Sequence, residues 1–424
     1  MQHSQYLIIG AGISGLSMAR MLHEQSKDYL LLEKSDRPGG LVKCDVIDGH
    51  LFHRVGGHVF NTKIPAVKDW FWAHFNREEE FLQTERQAGI RMDEKTIGYP
   101  IENYLYMLPE EHIRSIFGEL ATLSDKGKKD PMSYDNFEAF LRGNFGDTLY
   151  KLYFEPFNRK IWQTDLSTIA LPWLEGKLPM PDYKEIILSN VLRKEEKNMV
   201  HSRFFYPRKN GSQFIANRLA EGLTLITGVE ADSIERKGSH WIVNSAYSAD
   251  VLIFTGDVRR LAEIMKNNSG SLQSQMEGVL SLKSHGTSTL LCETDTTPLS
   301  WLYLPNSNTP AHRIIFTGNF SPENNPPEGR RSCTVEFSGN PSVKEMRNAL
   351  KKLPFNLNYV ADNYEPNSYV IQRNGDRERI AALKSSLAEH RFYLVGRFAE
   401  WEYHNMDKAM ESGMRVLESI GSKL

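Results

Sequence analysis

Three glycines, Gly10, Gly12 and Gly15, follow a short apolar run from Tyr6 to Ile9 and lead into an amphipathic stretch. In a G-x-G-x-x-G loop the first glycine permits a sharp turn and the second lets backbone approach a pyrophosphate. The third lets the helix pack close on its strand. The next apolar run, "YLLLEKSDRPGG", reaches Glu33, 18 residues beyond Gly15. A carboxylate there can accept hydrogen bonds from ribose hydroxyls, although a Glu after a buried strand can also be plain surface. The complete order of strand, loop, helix, strand and acid points to a bound dinucleotide.

Other stretches carry chemistry of their own. "RVGGHVFNTK" (54–63) is a small-residue turn able to lie against a flat ring, and His58 in it is either an acid–base group or a satisfied structural histidine. In "TPAHRIIFTGNF" (309–320), Arg313 opens an apolar strand. Its guanidinium can pair bidentately with phosphate, or simply end the strand in solvent. Residues 153–183 are dense in aromatics, and Phe157 and Trp162 there are either a ligand cage or core. Near the end, "FYLVGRFAEWEYHNMDKAMESG" (392–413) sets Gly396, Arg397 and Tyr403 before a helix with Asn405 as its N-cap. Met406, Ala409, Met410, Gly413, Met414 and Leu417 form that helix's inward face. Its start offers open N–H groups and roughly +0.5 of a charge.

The elements that must position these residues follow from length and pattern. A chain of 424 residues predicts two or three domains. Residues 64–90 and 103–200 read as mainly helical, with "KGKK" (126–129) as a linker, and 278–373 as short alternating strands of an antiparallel sheet. A net charge of −2, from 51 basic and 53 acidic residues, gives no field for nucleic acid. Cys44, Cys292 and Cys333 make no C-x-x-C, so a reducing compartment is expected. With the first strand at about Tyr6, no signal peptide is expected, and no apolar run approaches the ~20 residues of a membrane span. The reading is a cytoplasmic protein. No metal-ligand set, Ser/His/Asp constellation or carboxylate pair is evident, so no metal is expected.

The run after Glu33, with Gly39 and Gly40, resembles the FAD-binding family of the glutathione-reductase type. That resemblance implies FAD rather than NAD. It also implies that the Val229 backbone meets the adenine and that Thr255-Gly256 returns the chain to the cofactor. The fold class implied is α/β: a discontinuous Rossmann-like FAD domain (1–62, 210–262, 390–424), a helical insertion and an antiparallel sheet. No second G-x-G-x-x-G occurs, so no dedicated NADPH domain is expected.

Taken in order, "GGHVFNTK", "YPIEN", "PFNRKIW", "FFYPRKNGSQFI", "IFTGDV", "TPAHRII" and "GRFAEWEYHNMD" resemble motifs of the UDP-galactopyranose mutase family. The resemblance implies a pyranose–furanose mutase acting on a nucleotide-diphosphate sugar in cell-surface polysaccharide biosynthesis. Reduced FAD would act through its N5 on the anomeric carbon, with NADH or NADPH as external reductant. Arg313 would hold the substrate diphosphate with Tyr369 and Tyr403, while Trp162 and Phe157 line the sugar and nucleotide pockets. Gly57, His58, Gly396, Arg397, Asn405, Met406 and Asp407 would lie against the flavin. The family's mobile arginine is missing, and Lys177 is the substitute the sequence offers. The alternative is an FAD oxidoreductase of the amine oxidase or protoporphyrinogen oxidase type. Oligomeric state is not legible.

Overall fold

The computed structural model describes residues 1–125, 129–174, 183–193, 202–265 and 270–421. Two seven-stranded sheets organise them. In the first, strand order is Ile234–Lys237, His240–Val243, Tyr247–Phe254, Gln2–Ile9, Tyr29–Leu32 and Leu225–Ile226, with Phe392–Leu394 added beside Tyr247–Phe254. Its centre is parallel. Parallel strands covered on both faces are apolar throughout, and Tyr29–Leu32 is buried at every position. The first strand begins at Gln2 rather than near Tyr6, because Gln2, His3 and Ser4 continue the ladder onto Tyr247, Ser248 and Ala249. Those polar residues hide the strand start from a pattern based on apolar runs.

Helix Ile13–Glu24 leaves the first strand through Gly10 and Gly12. Gly15 has its packing role in plain form: a Cβ there would stand 1.8 Å from the Gly10 carbonyl oxygen. The last helix, Met406–Gly421, packs on the same side, with Met406, Ala409, Met410 and Gly413 buried.

The second sheet runs Asn358–Ile371, Lys283–Thr294, Arg331–Ser338, Ala311–Ile315, Trp301–Tyr303, Ala88–Met92 and Lys95–Gly98. It is antiparallel except where Trp301–Tyr303 pairs with Ala88–Met92. Two expectations change here. The stretch 64–90 is helical only through Pro65–His74 and Arg77–Glu80, after which Phe81–Glu85 and Ala88–Met92 are strands. The 278–373 stretch also holds a helix, Val343–Leu350, opened by a Ser342–Glu345 capping box. "QTERQAGIRM" has little local strand signal; pairing with Trp301–Tyr303, more than 200 residues away, decides its conformation.

Helices Glu110–Asp125, Phe137–Leu149, Glu155–Trp162 and Tyr183–Leu192 cover the far half of this sheet. Their apolar faces share one core with Ile90, Ile97, Trp301 and Tyr303. Glu155–Trp162 therefore presents Phe157 and Trp162 to the sheet.

Candidate active site

A cavity of about 720 Å³ runs between the two sheets. At one end it is lined by Gly10, Gly12, Glu33, Gly39, Gly40, Val229, Thr255 and Gly256. At the other stand Arg86, Trp301, Tyr303, Arg313, Tyr369 and Tyr403, with Gly57, His58, Arg397, Asn405, Met406 and Asp407 between the two.

The first end is a backbone cradle. Gly10 has φ +100°, and a Cβ on it would lie 2.5 Å from the Thr255 hydroxyl. Gly40 has φ +56°, and a Cβ there would come 3.0 Å from Gly12 Cα. Only glycine keeps this space open to a ligand. Both Glu33 oxygens already accept backbone N–H groups, from Ala11 at 2.7 Å and Ser35 at 2.9 Å. The carboxylate thus holds the glycine loop in shape, and its remaining lone pairs are what a ribose can use. The Val229 N–H donates to the Glu33 carbonyl at 2.9 Å, fixing that loop beside the acid.

His58 sits at the junction. Burial, followed by the charge of Arg397, pushes its imidazole down to about 4, so it is neutral at pH 7. Its Nε2 is buried without a hydrogen-bond partner among the described residues. An orphaned buried nitrogen at a cavity wall suits an acceptor for a bound group. The same flank is kept small by Gly57, whose added Cβ would lie 2.7 Å from Ile315. Arg397 is a brace: it donates to the His404 carbonyl through Nε at 2.9 Å and to the Ser368 carbonyl at 3.0 Å, and lies over the Tyr403 ring. Its charge remains beside His58 while its nitrogens tie the final loop to strand Asn358–Ile371.

Arg313 is not the free fork that its sequence suggested. Its Nε and one terminal nitrogen bond Glu336 Oε2, and Glu336 is 1% exposed. A bidentate grip on phosphate through that edge is therefore replaced by an internal ion pair, leaving the other terminal nitrogen for a ligand. Burial alone would raise the Glu336 carboxyl; Arg313 and the His312 contact outweigh it and hold it at about 2. Glu336 Oε1 also accepts the Gly56 N–H at 2.9 Å, so one carboxylate sets both the arginine and the His58 turn. Tyr369 stacks on His285 at 5.0 Å and meets Tyr403 at 5.8 Å. Burial, with Tyr403 nearby, pushes the Tyr369 hydroxyl well up, so it remains a donor.

Four expected residues do not line the cavity. Gly15 and Gly396 act by packing; Gly396 has φ +93°, and a Cβ there would meet Ser14 at 2.1 Å. Trp162 lies behind Tyr369 and Tyr403, at 5.8 and 6.1 Å. Phe157 stacks on Tyr153 and meets Tyr303 edge-on, both at 5.4 Å. Lys177 lies outside the described residues. Asn405 directly precedes Met406–Gly421, and its carbonyl accepts the Ala409 N–H at 3.0 Å.

Sequence reasoning missed Glu336 and Arg86. Glu336 stands in "CTVEFS", where every neighbour is buried, and an acid in such a strand demands a cationic partner. The Arg86 guanidinium packs on Tyr99 (4.8 Å) and Trp301 (5.2 Å) and donates to the Tyr303 hydroxyl. Nothing in "TERQAG" announces it.

The NAD(P)-binding Rossmann-like domain family matches residues 8–75. A UDP-galactopyranose mutase of Mycoplasma genitalium is 45% identical over 171 residues, 39% of this chain and 38% of that protein. Coproporphyrinogen III oxidase of Staphylococcus aureus is 25% identical over 259 residues, 54% of this chain and 51% of that one. The aligned segments span less than half the length of the curated mutases they match. In three dimensions, a reduced UDP-galactopyranose mutase superposes with a TM-score of 0.88 at 21% identity, over 99% of this chain and 96% of that one. In shared sequence segments and in a fold shared end to end, the chain is similar to the UDP-galactopyranose mutases.

Proposed function

We propose that this protein is an FAD-dependent mutase that interconverts the pyranose and furanose rings of a nucleotide-diphosphate sugar, UDP-galactopyranose or a close relative. The observation that carries this reading is continuity: one cavity joins a dinucleotide cradle to a cationic, tyrosine-lined chamber. A reductase for a distant partner needs the cradle but not the chamber. The glycine cradle, Glu33 and the unpartnered His58 nitrogen fit FAD. When bound and reduced, FAD supplies a nucleophile for the anomeric carbon and leaves no net redox change.

The chain's own residues hold the reaction in place. Backbone N–H groups at the start of Ile13–Glu24 would hold the cofactor's pyrophosphate, and those at the start of Met406–Gly421 would offer partial positive charge to its flavin. Arg313, aimed by Glu336, holds the departing nucleoside diphosphate close enough to return. Tyr369 and Tyr403 donate to the same phosphates. His58, neutral at pH 7, accepts a hydrogen bond and does not begin as an acid. Trp162 supports both tyrosines from behind, and Phe157 supports Tyr303.

The test is turnover. Protein reduced with dithionite, incubated with UDP-, GDP- and dTDP-sugars, should give isomeric product peaks, and oxidised protein should give none. NADH and NADPH are then compared as reductants. Steady aerobic oxidation of a porphyrinogen or amine, with no isomerisation of any nucleotide sugar, would replace this reading by the oxidase one, toward which the similarity to coproporphyrinogen III oxidase leans.

A further inference from the structure

At the opposite end of the first sheet from the cradle, three strands bring together residues far apart in sequence. His3 lies on Gln2–Ile9, His240 on His240–Val243 and Asp250 on Tyr247–Phe254. One ligating atom from each falls within 4.8 Å of the others. The His240 Nδ1 is 2.8 Å from Asp250 Oδ1, and the His3 Nε2 is 3.8 Å from the same oxygen. Four-coordinate zinc, with ligands at 2.0–2.2 Å, keeps its donor atoms about 3.3–3.6 Å apart. The two spacings to the Asp250 oxygen bracket that value.

Two features separate this cluster from a chance meeting of surface side chains. The backbone ladder fixes all three strands, since His3 pairs with Ser248, and Trp241 with Ala249. Preorganised donors on rigid strands lose little on binding. Ser248 also engages the other nitrogen of His3, Nδ1, at 3.0 Å, which turns Nε2 toward Asp250. An outer hydrogen bond that fixes a histidine's free nitrogen is the usual support of a metal ligand.

We infer that His3, His240 and Asp250 form a binding site for a divalent transition-metal cation, with zinc the best match. Two imidazoles and one carboxylate favour zinc and its neighbours over magnesium or calcium, which take oxygen donors. Three protein ligands leave a fourth position for water. None of the three residues lines the large cavity. His3 is seven residues from Gly10 along an extended strand, a separation of about 23 Å. The site is therefore a clamp across three strands, independent of the proposed mutase chemistry.

Zinc added to the chelator-stripped, flavin-loaded full chain should bind at one saturable equivalent, measured by calorimetry or by competition with a chromophoric chelator. His3→Gln, His240→Gln and Asp250→Asn should each weaken binding at least 100-fold, and Ser248→Ala about 10-fold. Zinc should raise the melting temperature of the wild type and leave that of Asp250→Asn unchanged. Melting temperatures measured in chelator identify any variant that is simply misfolded. Absence of saturable binding, or wild-type affinity in all three ligand variants, would overturn the site as an adventitious surface contact.

Discussion

The two ends of the cavity are built differently. At the cradle, most of the glycines and the one acid come from two neighbouring segments, Gly10–Gly15 and Glu33–Gly40, with Val229, Thr255 and Gly256 closing it from farther along the chain. At the chamber, Tyr303, Arg313, Glu336 and Tyr369 come from four strands of the second sheet, and Arg86 and Tyr403 from loops far away in sequence. Backbone that must bend sharply leaves a mark in local sequence. A side-chain constellation leaves none until the sheet is assembled. Damage to the cradle should therefore cost cofactor and fold together, and damage to the chamber should cost substrate while the cofactor remains.

The most severe test is Gly15→Val. A side chain would enter the space of the Gly10 carbonyl, forcing helix and strand apart. On the order of 3 kcal/mol or more of stability and most of the bound flavin should be lost, read by absorbance and thermal melting. Retention of flavin would break the contrast. Next is Glu336→Ala, which strands the Arg313 charge. Removing one partner of a buried pair typically costs about 3–5 kcal/mol. Glu336→Gln, which keeps the Gly56 bond, should lose less, and both should bind UDP poorly once folded. Arg313→Ala should lower UDP affinity about 10²-fold with flavin occupancy intact, measured by fluorescence titration. Loss of flavin instead would merge the two ends into one unit.

A smaller effect concerns pH. His58 is depressed to about 4 in the folded chain and His53 to about 3, both by burial first. The unfolded chain then binds more protons than the folded one below about pH 6.5, so stability falls as pH drops from there toward 4. His58→Gln should remove about one proton from that slope in flavin-free protein. Glu336 acts in a lower window: its stabilisation is present above about pH 4.3 and is lost as pH falls toward 2. The smallest change expected is Ser342→Ala. It breaks a capping box remote from the cavity, and should cost about 1 kcal/mol in melting with no effect on either ligand.

Particular residues show how far the sequence could be read. The fingerprint loop was legible because its glycine spacing between two apolar runs is a local pattern, and Gly15 answers a steric demand from Gly10, five residues before it. The inward face of the last helix was legible because Met406, Ala409, Met410 and Gly413 repeat at helical spacing. Arg313 was found by type but misjudged in partner, since Glu336 is its neighbour across a strand pair and not in the chain. The helical reading of 64–90 ran into strand Ala88–Met92 because that strand's identity rests on a pairing with Trp301–Tyr303. The His3, His240 and Asp250 cluster was invisible for the same reason.

By itself, then, the order of residues determined the first βαβ turn and its glycine loop, because these rest on backbone limits and apolar periodicity that act over short stretches of chain. Tertiary structure alone decided which charge faces Arg313, where Trp162 stands relative to the tyrosines, and that two histidines and an aspartate share one patch. Those are contacts at long sequence separation. Only the closed ladders of two sheets bring such residues within the few ångströms over which ions, rings and ligands interact.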